Sequence, residues 1–142
     1  MELSSQQWIA FNETIIEEFR ANEGRCGGHF EGNPLLLLTA RGAHTGRPYT
    51  TPLTYTRDGE HLVVIASAGG APSDPAWYRN LRANPDVEVE LGTERFAARA
   101  EEAPASERER IYDQVVAQLP RFGAYREATD RVIPVVLLTR TP

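Results

Sequence analysis

The stretch TARGAHTGRPYTTPLTY, Thr39 to Tyr55, decides how this chain is laid out. A turn of small residues, Gly42-Ala43-His44-Thr45-Gly46, separates two runs rich in strand-forming residues, the pattern of a β-hairpin. Two readings of the turn stand side by side. In one, its glycines serve only a backbone with positive φ. In the other, successive N–H groups converge into an anion-binding nest. There Thr45, Thr50 and Thr51 add hydroxyl donors, and Arg41 and Arg47 offer charge-assisted bonds. Residue chemistry alone leaves both open.

Working outward, strand-like runs occupy 35–40, 49–57, 61–67, 87–91, 95–101 and 132–139. RDGE at 57–60 places an Asp-Gly pair between two of them, a strong hairpin signal, and LGTE at 91–94 is a similar connection. Residues 5–21 carry Trp8, Ile9, Phe11, Ile15, Ile16 and Phe19 near helical spacing, with Glu13, Glu17, Glu18 and Arg20 facing away. A second helix is expected over 74–85, with Asp74 as N-cap and Pro75 in the first turn. A third is expected over 106–119, opened by a Ser106/Glu109 capping box. Hairpins without a βαβ rhythm argue for an antiparallel sheet or small barrel with helices at its rim. The runs PLLLLTA and IPVVLLT are apolar on both faces. They belong in the middle of the barrel, under a helix or at a dimer interface.

The 142 residues suit one domain, 1–142, with an ordinary globular composition. Fifteen cationic and 20 acidic side chains give a formal charge of −5, which disfavours nonspecific nucleic-acid binding. The single cysteine, Cys26, excludes an internal disulfide framework and suits a reducing cytoplasm. One cysteine and three histidines make a structural zinc site a poor expectation. No apolar run approaches the roughly 20 residues that span a bilayer, so stable membrane insertion is not expected. The N-terminal residues lack the pattern of a secretory signal.

No nucleophile elbow, zinc-protease helix or P-loop is present. His29, His44 and His61 fall in a glycine-rich loop, a turn and a strand start, where solvated histidines are common. If the chain is an enzyme, a bound cofactor must supply the reactivity. ASAGGAPSDPAWYRNL, Ala66 to Leu81, is the second stretch suited to a ligand: a strand runs into Gly69-Gly70, and a helix follows whose free N–H groups favour anions. Trp77 and Tyr78 read first as packing residues that wedge this helix against the barrel.

The elements PLTYTRDG, ASAGGAPSDPAWYRNLRANP and DRVIPVV, together with the N-terminal helix and its NEGRCGG loop, resemble the deazaflavin-dependent nitroreductase family across nearly the whole chain. The resemblance implies a split β-barrel of mainly β (α+β) class, with about six mostly antiparallel strands and peripheral helices. It implies coenzyme F-420, an 8-hydroxy-5-deazaflavin, as hydride donor to a small electron-poor substrate such as a nitroaromatic, quinone or enone. It places the cofactor's tail against His44, Thr45, Gly46, Arg47, Thr50, Thr51, Pro52 and Leu53. It places the deazaflavin against Ile65, Ala66, Ser67, Ala68, Gly69 and Gly70. Ser67 and Tyr125 match groups that act on the substrate, and Trp8 and Phe122 join Tyr125 around it. A monomer or a homodimer is expected.

The departures are as informative. Ala43, His44 and Tyr49 stand where the family turn is basic, Ala68 replaces a lysine, and Phe122 replaces a common tyrosine. Each charge-assisted phosphate contact is worth roughly 1.5–3 kcal/mol. Arg47 and protonated His44 compensate in part. Two rival readings follow. One is a family member recruited as a cofactor-independent isomerase, cyclase or dehydratase, or as a binder of a hydrophobic ligand. The other places FMN or a haem-type ligand in the same groove, FMN needing fewer cations.

Overall fold

The computed structural model describes residues 5–27, 34–67 and 74–141, the side chains of residues 5, 6, 8 and 9 excepted. In chain order the elements are α1 (Ser5–Ala21), β1 (Leu35–Arg41), β2 (Pro48–Thr54), β3 (Thr56–Asp58), β4 (His61–Ile65), α2 (Ala76–Ala83), β5 (Asp86–Leu91), β6 (Glu94–Glu102), α3 (Ala105–Gln118), α4 (Arg121–Glu127) and β7 (Val135–Arg140). The strands form one antiparallel sheet ordered β2-β1-β5-β6-β7-β4-β3. Its two edges, β2 and β3, are separated in the chain by Tyr55 alone. The sheet must therefore curl until its edges meet, which turns an open meander into a split barrel.

Side-chain alternation divides the core into three parts. Leu36, Leu38, Leu62, Val64, Val136 and Leu138 point into the barrel, where Tyr78 and Leu81 of α2 join them and Trp77 packs alongside. Leu35 and Leu37, one position out of phase, point outward beneath Ile15 and Phe19 of α1. Val63, Ile65 and Val135 point outward beneath α3 and α4, against Ile111, Tyr112, Val115 and Phe122. This is why the two apolar runs show no polar face. Every outward-facing leucine or valine in them lies under a helix, and burial of such a side chain contributes roughly 1.5–3 kcal/mol. Arg20 fastens α1 to the sheet through a bidentate pair with Glu90, at 3.0 and 2.8 Å.

Several boundaries differ from the sequence reading. The expected strand 49–57 breaks at Tyr55 into β2 and β3, because its two halves pair at opposite edges of the sheet. Asp74 does not cap α2: Pro75 is the N-cap, no side chain bonds there, and the Asp74 carboxylate is engaged by an arginine. Pro104 likewise precedes α3 without a side-chain cap, so the Ser106/Glu109 capping box does not form. Helix α4 was not expected, and β7 starts at Val135 rather than at 132. Both two-residue hairpins form where expected, with Gly59 at φ 60° and Gly92 at φ 61°. Among the described residues no helix is long and apolar enough to cross a membrane.

Candidate functional site

Strand registers bring the two ligand-suited stretches to one rim. Arg41 pairs with Pro48 at the top of β1 and β2, and Thr39 opposite Glu88 sets the start of β5 at the same level. Because every neighbouring pair is antiparallel, the end of β6, the start of β7 and the end of β4 point to that same end of the barrel, Glu102 opposite Val136 and Ile65 opposite Val135. The turn 42–47, the exit of β4 and both ends of α2 therefore share one end of the barrel. Asn80 of α2 ties them together, its Oδ1 accepting the Ala43 N–H at 3.0 Å.

The turn is closed largely by its own bonds. Gly42 N–H donates to Arg47 O at 2.8 Å, and Gly46 N–H to Gly42 O at 3.0 Å, with Gly46 at φ 69°. Arg47 N–H donates to Thr45 Oγ1 at 3.2 Å, and that hydroxyl also pairs with the Tyr49 hydroxyl at 3.1 Å. Gly42 is buried because the Tyr49 ring folds over it: a Cβ there would lie 2.5 Å from Thr45 Oγ1 and 2.7 Å from Tyr49 Cε2. Among the described residues only the His44 and Thr45 N–H groups of the turn remain without a partner, and both residues are exposed. Arg41 and Arg47 are exposed beside them.

Along β2 the expected tail residues split between faces. Thr51 and Leu53 pair with Leu38 and Leu36 on the barrel side. Thr50 and Pro52 pair with Thr39 and Leu37 on the outer side, where the Thr39 and Thr50 hydroxyls bond at 2.7 Å.

The exit of β4 is the opposite kind of place. Ala66 and Ser67 are 0% and 6% exposed. Ala66 N–H donates to Pro134 O at 3.0 Å, extending the β4–β7 pairing by one bond. Arg131 Nη2 donates to Ala66 O at 3.0 Å and to Ser67 O at 2.8 Å, while Nη1 donates to Asp74 Oδ1 at 2.9 Å. Ile65 belongs to the apolar cluster beneath α3 and α4, and Tyr125 packs against that same cluster. Phe122 and Tyr125 meet edge to face, with ring centroids 5.2 Å apart. Phe122 is 7% exposed and is first of all a packing residue, whereas Tyr125 is half-buried. The Tyr112 hydroxyl donates to Phe122 O at 2.6 Å and so anchors α4. Burial pushes the Tyr112 phenol above its ordinary pKa, with the Arg126 charge opposing. Residues 68–70 and the Trp8 side chain lie outside the described residues.

Asn80 and Arg131 went unassigned from sequence. Both stand inside the motifs WYRNL and DRVIPVV. Their only local signal is a polar side chain within a short helix or just before a buried strand. A groove of about 600 Å³ also opens on the outer sheet face, lined by Thr39, Arg41, Pro48, Asp86, Glu88 and Arg95 among others. Of the residues singled out in the sequence, Arg41 alone lines it.

Comparison with known proteins agrees with the fold. A family model described as F-420H(2)-dependent quinone reductase matches residues 12–140. The chain is 43% identical over 127 residues to an F-420H(2)-dependent quinone reductase of Mycobacterium tuberculosis, covering 86% of this chain and 85% of that protein. A solved F-420-H(2)-dependent reductase superposes with a TM-score of 0.68 at 34% identity, covering 79% of this chain and 99% of the other. A solved domain-swapped dimer superposes with a TM-score of 0.70 at 32% identity, covering 95% and 99%.

Proposed function

The chain belongs to the F-420H(2)-dependent quinone reductase family, and from that premise we propose that it reduces a small quinone with reduced coenzyme F-420. The observation that carries the reading is the shared rim, where an exposed turn flanked by arginines stands at the same end of the barrel as a buried strand exit. The residues present fit such a cofactor. His44 and Thr45 N–H groups with Arg41 and Arg47 suit an anionic tail, and the Ile65–Ser67 backbone suits a flat ring system. When bound, the cofactor supplies the hydride; the chain's own residues supply placement and proton handling.

Quinone reduction adds a hydride and a proton and develops negative charge on oxygen. A donor aimed at that oxygen stabilises the charge where it forms. Ser67 takes this role in our reading, its hydroxyl orienting the quinone oxygen at the strand exit. Tyr125 covers the substrate from α4 and serves as the proton donor, with Phe122 and Trp8 completing an apolar wall. His44, Thr45, Gly46, Arg47 and Thr50 to Leu53 hold the tail, and Ile65 to Gly70 hold the ring. The low exposure of Ala66 and Ser67 keeps water from competing for the hydride.

Titration with oxidised F-420, followed by its fluorescence, tests the cofactor assignment. Saturation at micromolar concentration is expected, and no binding at tens of micromolar overturns it. Oxidation of reduced F-420 by a soluble naphthoquinone tests the reaction. The dimeric state of the similar domain-swapped structure favours a homodimer here, which sedimentation equilibrium reads directly. The rival assignment to a cofactor-independent isomerase, cyclase or dehydratase has no observation in its favour.

A further inference from the structure

We propose that Arg131 is a positioning residue for the reaction, acting through Ser67; this rests on the role given to Ser67 above. Consecutive carbonyls in a strand point to opposite sides, so one guanidinium nitrogen cannot serve two of them along a regular strand. Arg131 Nη2 nevertheless donates to both Ala66 O and Ser67 O, at 3.0 and 2.8 Å. The chain therefore turns out of β4 at this point, and the guanidinium holds the turn. Ala66 is gripped from its other side by Pro134, through a 3.0 Å bond from its N–H. The peptide that leads into Ser67 is thus fixed at both its carbonyl and the preceding amide, which aims the Ser67 side chain.

Asp74 in turn orients the guanidinium, accepting from Nη1 at 2.9 Å. The Arg131 side chain is 15% exposed, so these bonds compete weakly with water. The planar fork is what the geometry uses. Its two terminal nitrogens serve two carbonyls and a carboxylate at once, and a lysine ammonium offers a point charge on a flexible stem instead. Arg131→Lys keeps the charge near Asp74 while surrendering the fork.

A double-mutant cycle tests the assignment, read as kcat/KM for a soluble naphthoquinone with saturating reduced F-420. Ser67→Ala lowers it by about 10²-fold, and Arg131→Lys by roughly tenfold through misplacement of Ser67. The double variant then falls no further than Ser67→Ala alone, within about twofold. A general structural role predicts that the two losses multiply, and that result overturns the proposal while leaving the function of Ser67 standing. Wild-type rates in Ser67→Ala overturn both. Thermal melting and the F-420 dissociation constant accompany each variant, so that a loss of fold or of cofactor affinity is read apart from the loss of rate. Should Arg131→Lys fail to fold, Asp74→Asn replaces it in the same cycle. Loosening the guanidinium from its far side is expected to give the same non-multiplicative pattern, and multiplication again refutes the idea.

Discussion

From Ala43 to Arg47 every residue of the turn is exposed, and the bonds that shape it are short-range ones within the hairpin plus one from Asn80. From Ile65 to Ser67 every residue is buried, and the bonds come from residues 64 to 68 positions away in the chain, Arg131 and Pro134. Both lie on one rim, and in our reading both touch one cofactor. The difference shows how a small barrel divides its labour. In that reading, the place where hydride and proton meet has its geometry fixed by buried cross-links that tolerate little change. Where a flexible anionic tail rests, a solvated turn suffices, and its side chains are free to drift.

The sharpest way to break the contrast is to remove the clamp. Arg131→Met leaves two carbonyls and the Asp74 carboxylate without their donor in a mostly buried place, at a cost of about 3 kcal/mol. His44→Ala, in the exposed turn, costs within about 0.5 kcal/mol. Chemical denaturation of both variants measures the gap, and equal losses would erase the distinction between the two regions.

Gly42 tests the one rigid point of the turn. Gly42→Ala brings a methyl group to 2.5 Å from Thr45 Oγ1 and 2.7 Å from Tyr49 Cε2. Both obstacles are side chains, so the turn yields by swinging the Tyr49 ring away, for about 2 kcal/mol. The melting temperature falls, and the Thr45–Tyr49 bond is lost with it. The turn also offers a gain. His44→Lys restores a cation beside the His44 and Thr45 N–H groups and tightens F-420 binding about tenfold, the equivalent of one charge-assisted bond of about 1.4 kcal/mol. Because the site is solvated, the gain shrinks as salt is raised. An affinity unchanged by this substitution would mean the tail does not rest on the turn.

The same contrast explains what could be read in advance. The hairpins at 57–60 and 91–94 and the helix at 5–21 rest on local signals, Asp-Gly and Gly-Thr turns and a 3.6-residue apolar period, and they form where the sequence places them. The double-faced runs at 35–38 and 135–138 are legible too, since only burial on both sides permits them. The break at Tyr55 is not, because it is caused by pairing with β1 on one side and β4 on the other. Helix α4 is missed for a similar reason: its seven residues, interrupted by Gly123, are too few to form a helix alone, and they are held by Tyr112 and by packing against α3. At the site, the resemblance of motifs selects the strand exit and the turn. It says nothing of Arg131 as a clamp, since a contact spanning 64 residues leaves no periodic trace.

Tyr112 gives the smallest effect and a clean pH test. All 15 cationic side chains of this protein are arginine and none is lysine. Above pH 9, then, no lysine contributes, and burial acts on the ionisation of Tyr112 and Cys26. Burial raises Tyr112 above its ordinary value of 10.0, against the pull of Arg126. The unfolded chain gives up this proton near pH 10, and the folded chain keeps it to higher pH. The stabilisation from the neutral phenol is therefore whole below about pH 10. It fades as pH rises from the unfolded value through the folded one. Tyr112→Phe removes the bond to Phe122 O, costs about 1 kcal/mol at neutral pH, and flattens the alkaline limb of the stability curve. Burial also raises the Cys26 thiol, with Glu18 adding to it, so part of that limb survives in the variant and Cys26→Ser removes the remainder. If α4 holds Tyr125 over the strand exit, Tyr112→Phe also lowers kcat for the quinone modestly while the F-420 dissociation constant stays put. A variant that loses stability but keeps its full kcat would show that Tyr125 reaches the rim without the anchor beneath it.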